Sequence, residues 1–218
     1  MQAMTEIFQT QRLIIREWIP EADAAQAFEI YGDPQVVRFL SGIPEESVEN
    51  VRVRLQRVTE RYTQLNNGSG LWAIVEKQTG EILGTVLLKQ LPDNESKPTQ
   101  DYEVGWHLKK AVWGKGYATE AGLGAIEYGF NILKLPVIYA VVKPENHASM
   151  RVTQRLGMVS YYTFNLHIVD FGEKASILLP CSSAPLLPCC LNVQIRCVTA
   201  YQWVVLTNIT VSNWSYLN

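Results

Sequence analysis

A short glycine-containing segment at residues 113–118, Trp-Gly-Lys-Gly-Tyr-Ala, is the part of the chain best suited to bind an anionic ligand. The residues before it, 102–108, predict a short strand, and the residues after it, 120–133, predict a helix. A turn that opens a helix presents free backbone N–H groups at the positive end of the helix dipole. We therefore predict that this turn binds a diphosphate.

Two common nucleotide-binding patterns fit this segment poorly. A P-loop requires a glycine five residues before its Gly-Lys pair and a serine or threonine directly after it, but Lys109 and Gly116 occupy these positions. A Rossmann fingerprint requires a third glycine three residues after Gly116, where Thr119 stands. The spacing therefore excludes a P-loop and makes a Rossmann site a weak match.

Three segments spread over about 150 residues carry a family resemblance. Residues 113–118 match the pattern Gln/Arg-x-x-Gly-x-Gly/Ala at Gly116 and Ala118, although Trp113 departs from it at the first position. The other segments are Thr-Gln-Arg-Leu-Ile-Ile-Arg at 10–16 and Asn-His-Ala-Ser at 146–149, followed by Leu-Gly-Met at 156–158. Together they resemble the GNAT superfamily of N-acetyltransferases, and within it the RimJ/RimL-like branch, which acetylates protein N-termini and many small amines.

The resemblance implies an α+β fold with a mixed, mostly antiparallel twisted sheet and helices on both faces. In this fold the sheet is splayed apart between the strands predicted at 102–108 and 137–142, and the pantetheine arm of the co-substrate acetyl-CoA lies in the gap. The N–H of Leu108 or of a neighbour would then polarise the thioester carbonyl. The expected cofactor-binding residues are Leu108, Trp113, Gly114, Lys115, Gly116, Tyr117, Ala118, Thr119, Asn146 and Ser149.

Two side chains are the expected catalytic groups. An α-amino group has a pKa of about 7.7 to 8.0 and a lysine one of about 10.4, so a base must deprotonate the acceptor amine. The resemblance makes Glu103 the candidate base, the alternative being a surface carboxylate or a partner for an arginine. Many relatives protonate the leaving thiolate with a tyrosine, and Thr153 stands there instead. Ser149 is therefore the candidate to bind the sulfur or act as acid, the alternative being helix capping.

Other polar residues are expected to have ordinary roles. His107 and His147 flank the motifs, and each is expected to be satisfied or solvent-facing. All cysteines lie in the last 38 residues, at Cys181, Cys189, Cys190 and Cys197. They have neither Cys-x-x-Cys spacing nor a nearby histidine, so no metal site is expected. Acetyl transfer is expected to be direct, and the alternative function is an acyl-CoA-binding regulatory module without turnover.

Hydrophobic periodicity predicts the elements that must position these motifs. The predicted strands are 12–18, a hairpin of 71–77 and 81–90, 102–108, 137–142 and 159–167. The predicted helices are 21–31, a short one after Asp33-Pro34, 45–65, 120–133 and 148–156, the last closed by Gly157. A polar surface loop is expected at 91–100.

Composition limits the class of protein and its partners. The 218 residues are 47% hydrophobic and 18% charged, which is typical of a globular chain. A net charge of -2 argues against direct binding of nucleic acid, and no apolar run reaches the roughly 20 residues that cross a membrane. The first ten residues do not have the pattern of a secretory signal, so a cytoplasmic location is expected. The expected partner is an amine acceptor, either a small molecule or a protein N-terminus, and a homodimer stays open.

The last part of the chain differs in composition from the rest. From Cys181 to Asn218 the only charged side chain is Arg196. We therefore expect an acetyltransferase domain at 6–180 and an atypical, apolar, cysteine-containing tail at 181–218. A frame change near the end of the gene is the favoured origin of this tail, and a lineage-specific extension is the alternative. Residues 201–211 alternate well enough to be a strand, which would supply either the last strand of the sheet or an exposed, aggregation-prone edge.

Overall fold

Eight strands of the computed structural model form one sheet. In chain order they are β1 (Glu6–Gln9), β2 (Leu13–Arg16), β3 (Gly70–Glu76), β4 (Ile82–Pro92), β5 (Pro98–Leu108), β6 (Ile138–Val142), β7 (Met158–Asn165) and β8 (Lys174–Pro180). Their spatial order is β1-β2-β3-β4-β5-β6-β8-β7. Between these strands the β5–β6 pair is parallel and the other pairs are antiparallel.

The structure describes residues 5–40, 42–93, 97–165, 174–180, 196–199 and 202–205, with side chains described as far as Met158. The chain divides into two compact units, Met1–Cys181 and Ser182–Asn218. In the second unit, β9 (Arg196–Thr199) pairs antiparallel with β10 (Gln202–Val205).

Among the described residues of the first unit, five α-helices connect the strands. They are α1 (Pro20–Tyr31), α2 (Pro34–Val37), α3 (Val48–Leu65), α4 (Tyr117–Asn131) and α5 (His147–Arg155), with a 3-10 turn at Lys110–Val112. Side chains of Asp33, Ser47 and Asn146 cap the N-termini of α2, α3 and α5. No described helix combines the length and apolar character needed to cross a bilayer.

The helices cover both faces of the sheet because successive strand residues point to opposite sides. In β3, Trp72 and Ile74 belong to the core that includes Ala121 and Ala125 of α4. The residues next to them, Ala73 and Val75, belong to a second core together with buried residues of α1 and α3. One face therefore packs on α4 and the other packs on α1, α2 and α3.

The parallel pair at the centre of the sheet is splayed. Residues of β5 and β6 are paired only at Tyr102 with Ile138 and at Glu103 with Tyr139. Beyond this point β5 continues to Leu108 alongside β4, whereas β6 pairs with β8. A gap therefore opens between β5 and β6 after Glu103, which agrees with the fold expected from the sequence.

The register of β5 on β4 determines which backbone groups face this gap. Lys109 N–H donates to Leu83 C=O over 3.0 Å, and the register continues without a shift from Leu108 opposite Gly84 to Glu103 opposite Lys89. In an antiparallel pair every second residue turns its N–H and C=O to the partner strand. Odd-numbered residues of β5 therefore bond to β4, and the backbone groups of Trp106 and Leu108 point into the gap.

Several element predictions need correction. The strand β1 was not predicted, because its four residues are short and only partly buried. Both β4 and β5 extend into the predicted loop at 91–100, whose residues 94–96 lie outside the described part. Among the described residues, the last strand of the large sheet in chain order is β8. The described part of the segment 201–211, β10, pairs with β9 instead.

Candidate active site

Two glycines give the turn at 113–118 its shape. Gly114 and Gly116 have φ angles of 77° and 84°, in the left-handed region that residues with a Cβ atom rarely adopt. Trp113 fixes the turn to β5, because its indole Nε1–H donates to the carbonyl of Leu108 over 2.8 Å. The residue that departs from the family pattern therefore joins the turn to the strand.

The start of α4 has no side-chain cap. Its N-cap residue is Gly116, and Glu120 N–H donates to Gly116 C=O over 3.0 Å as the first bond of the helix. The N–H groups of residues 117–119 therefore have no acceptor within the helix. The hydroxyl of Thr119 is buried and has no hydrogen-bond partner among the described residues. These donors and the exposed Lys115 fit a diphosphate group.

An ion pair, which we call the Arg12–Glu120 clamp, holds this turn against the start of β2. Arg12 donates from Nε to Glu120 Oε2 over 2.6 Å and from its backbone N–H to Glu120 Oε1 over 2.7 Å. The hydroxyl of Thr10 also donates to Oε1, over 2.6 Å, and Arg12 Nη1 donates to the carbonyl of Lys115 over 3.1 Å. Burial acts to raise the pKa of Glu120, but these hydrogen bonds outweigh burial and lower it.

The clamp gives a structural role to Thr10 and Arg12 in the segment at 10–16. The sequence alone gave this segment a family resemblance but no role. The available sequence signals were Glu120, a carboxylate in the first turn of a glycine-capped helix, and Arg12, an arginine far upstream in the chain. Their pairing is long-range in the chain, so no local pattern reveals it.

The side chain of Tyr117 supports the turn through contacts with β3 and with Arg12. Its side chain is buried, and its hydroxyl donates to Glu76 at the end of β3. The guanidinium of Arg12 lies over its ring, 4.3 Å from the centroid. The ring of Tyr117 therefore helps to hold the turn in place.

Glu103 lies at the closed end of the gap, on the face covered by α1 and α3. It is the last residue of β5 that pairs with β6. Its Oε1 is 2.9 Å from Nζ of Lys89, which lies directly opposite on β4, and its side chain is 13% exposed. Burial acts to lower the pKa of Lys89, but the charge and hydrogen bond of Glu103 outweigh it and raise that pKa. The ion pair fixes the position of the carboxylate.

His107 lies on the same face of the sheet as Glu103, four residues further along β5. Its ring is 6.1 Å from the ring of Tyr31 in an edge-on arrangement. Burial, together with the positive charges of Arg54 and Lys89, lowers the pKa of His107 to about 3, so the imidazole is neutral at physiological pH. Its Nδ1 is buried and has no hydrogen-bond partner among the described residues. The expectation of a satisfied or solvent-facing histidine is therefore wrong for His107.

The N-terminus of α5 carries the remaining site candidates. Asn146 is the N-cap, and its Oδ1 accepts from the N–H of Ser149 over 3.2 Å. This helix packs against β7, α4 and β6, and β6 is the strand across the gap from β5. Thr153 is buried and donates its hydroxyl to the carbonyl of Met150, so it does not replace the missing tyrosine. His147 is exposed.

The structure brings most of the sequence-derived residues to the gap. Leu108 and the turn at 113–118 meet at its open end, and Glu103 lies at its closed end. A cavity of about 360 Å³ lies elsewhere, at the start of β3, and is lined by residues that include Trp18, Tyr62 and Trp72. It shares no residue with β5 or with the turn.

Comparisons with known proteins identify the class to which this fold and site belong. A model of the acetyltransferase (GNAT) domain matches residues 12–159, and the chain belongs to this family. It is 31% identical over 160 residues to the uncharacterized protein YkkB of Bacillus subtilis, covering 72% of this chain and 87% of YkkB.

The N-acetyltransferase p20 of Bacillus licheniformis, also uncharacterized, is 30% identical over 151 residues, which cover 69% of this chain and 81% of p20. A crystal structure of a GNAT-family acetyltransferase from Bacillus anthracis matches with a TM-score of 0.65 at 22% identity. It covers 81% of this chain and 97% of that structure. The GNAT fold expected from the sequence is confirmed.

Proposed function

We propose that this protein transfers an acetyl group from acetyl-CoA directly to a primary amine. The observation that carries the proposal is the gap between β5 and β6, which leads from the uncapped start of α4 to Glu103. Membership of a family of acetyltransferases supports the reaction type. We also propose that the chain belongs to the RimJ/RimL-like branch, on the three motifs that resemble it.

The donor side of the proposed site is built from backbone groups. The N–H groups of residues 117–119 and the hydroxyl of Thr119 would hold the diphosphate, and Trp113, Gly114 and Lys115 would shape and charge the turn. The pantetheine arm would pair with the exposed backbone edge of β5, as an added strand does. When bound, the coenzyme supplies the reactive thioester.

The reaction requires a donor to the thioester oxygen and a base for the amine. The N–H groups of Trp106 and Leu108 point into the gap, and either can polarise the carbonyl as an oxyanion donor. Glu103 would accept a proton from the acceptor amine through water. This transfer would take place on the face of the sheet that α1 and α3 cover. Asn146 and Ser149 would contact the pantetheine and its sulfur from α5. Ser149 would hydrogen-bond the leaving sulfur, or pass to it a proton that water then returns to the hydroxyl.

We propose that residues 6–180 form the catalytic domain and that 181–218 form a separate tail. The last strand of the large sheet ends at Pro180, and the first compact unit ends at Cys181. No cysteine precedes Cys181, so the proposed transfer proceeds without a thioester on the enzyme.

Thiol release from acetyl-CoA in the presence of candidate amines tests this function. Replacing Glu103→Gln is expected to lower kcat about 100-fold or more, because a general base typically contributes that much, and to leave the KM for acetyl-CoA within about twofold. Glu127→Gln, on the exposed surface of α4, is the matched control and should retain wild-type rates. Coenzyme binding without amine-dependent thiol release across a broad panel would favour the binding module instead.

A further inference from the structure

Three arginines form a row along one side of α3. With 3.6 residues per turn, Arg54, Arg57 and Arg61 lie within about 60° of one another around the helix axis. Val51 and Leu55 mark the buried side of the same helix, so the row flanks the side that packs on the sheet. We call these three residues the basic flank of α3.

The basic flank lies beside the proposed acceptor face of the sheet. The guanidinium of Arg54 is 4.6 Å from the ring centroid of Tyr31, which in turn contacts His107. At the other end of the row, Arg61 is close enough to Lys89 for its charge to oppose the pKa rise that Glu103 causes there. The flank therefore follows β5 from His107 to Glu103.

Positive charge exceeds negative charge along this flank. Arg54 Nη1 is 3.1 Å from Glu45 Oε1, so its charge is partly neutralised. Arg57 and Arg61 are exposed and have no carboxylate within ion-pair distance in the described part of the chain. The chain as a whole carries a net charge of -2, so this local surplus does not reflect its average composition.

We propose that the acceptor is an amine that also carries an anionic group, which the basic flank binds while the amine reaches Glu103. Guanidinium groups suit this task because their planar N–H donors match the two oxygens of a carboxylate or the oxygens of a phosphate. The unpartnered Nδ1 of the neutral His107 supplies a further hydrogen-bonding group on the same face. This inference rests on the proposed function, since it names the acceptor class for that reaction.

The test compares acceptors that share an amine and differ in one charge. One pair is 4-aminobutanoate and 4-aminobutanamide, and the other is the amidated peptides Ser-Glu-Gly and Ser-Gln-Gly. The anionic member of at least one pair is expected to have a kcat/KM about tenfold or more above its neutral partner at low salt, and added salt should shrink the difference. The pair that responds distinguishes a small amino acid from an acidic N-terminus.

Variants of α3 assign the preference to the flank. The double variant Arg57→Gln with Arg61→Gln is expected to raise the KM for the anionic acceptor about tenfold and to leave the neutral acceptor and acetyl-CoA within about twofold. Arg52→Gln is the matched control, because Arg52 lies on the opposite side of α3 and pairs with Glu49 at 2.7 Å. It should keep the wild-type preference.

Four results would overturn the inference. Equal use of the charged and neutral acceptors would do so while leaving the proposed function intact. A preference that survives in the double variant, or a loss that appears in the KM for acetyl-CoA, would place the anion site elsewhere. Absence of amine-dependent thiol release with every acceptor would remove the proposed function together with the inference.

Discussion

Removing the carboxylate of the Arg12–Glu120 clamp should loosen the turn that is proposed to bind the coenzyme. In the variant Glu120→Ala, three hydrogen bonds of 2.6 to 2.7 Å are lost, from Thr10 Oγ1, Arg12 N–H and Arg12 Nε. A hydrogen bond typically contributes about 0.5 to 1.5 kcal/mol, and one to a charged group about 1.5 to 3 kcal/mol.

These values must be reduced, because the side chain of Arg12 is 42% exposed and water can replace its bond. We therefore expect Glu120→Ala to lower the free energy of unfolding by about 2 kcal/mol, and the melting temperature by about 4 to 8 °C for a domain of this size. Glu120→Gln keeps one acceptor oxygen and should cost about half as much. Glu127→Ala, on the exposed side of the same helix, should change stability by less than about 0.5 kcal/mol.

Thermal unfolding and titration with acetyl-CoA measure the two consequences separately. A looser turn should raise the Kd for acetyl-CoA about tenfold in Glu120→Ala, because the donors of residues 117–119 must then be ordered on binding. Equal melting temperatures of Glu120→Ala and Glu127→Ala, or an unchanged coenzyme affinity despite the loss of stability, would refute the proposed role of the clamp.

Two further predictions concern Gly116 and His107. Gly116→Ala places a Cβ on a residue with a φ of 84°, at 3.4 Å from Arg12 Nη2. It should therefore destabilise the protein by about 1 to 2 kcal/mol and weaken coenzyme binding. Denaturant titration measures the stability and calorimetry the binding, and wild-type values for both would contradict the prediction. His107 has a folded pKa of about 3, below its ordinary value of about 6.5, so the unfolded state binds more protons between these limits. The free energy of unfolding should therefore fall as pH drops from about 6.5 to about 3, and it should fall less steeply in His107→Gln. Urea titrations at several pH values measure this dependence. Equal slopes in the two proteins would refute the lowered pKa of His107.

The order of elements in the fold was largely accessible from the sequence, because most strands and helices have strong local patterns. The spacing of Val48, Val51, Leu55 and Val58 is enough to predict a helix, and Gly157 ends another helix by adopting a φ of 72°. The strand β1 could not be found this way. Its position depends on pairing with β2, and its side chains are only partly buried.

The candidate site was predicted less completely, because its contacts join distant parts of the chain. The resemblance named Glu103, but not the face of the sheet it occupies or its pairing with Lys89. Asn146 caps α5, and Thr119 carries a buried hydroxyl without a partner in the described residues. The coenzyme contacts expected of both residues stay predictions. Nothing in the local sequence indicates that Nδ1 of His107 is buried, because the surroundings of this side chain come from α1, α3 and β4.

One property of β5 connects the two halves of the proposed reaction. Its odd-numbered residues bond to β4 through their backbones, and the side chains of Glu103 and His107 lie on the face of α1 and α3. Its even-numbered residues turn their side chains toward α4 and their backbone groups into the gap. The alternation of residues along β5 thus separates the groups proposed for the acetyl donor from those proposed for the acceptor amine. A shift of one residue in the β4–β5 register would exchange the two sets, so the proposed chemistry depends on the packing that fixes this register.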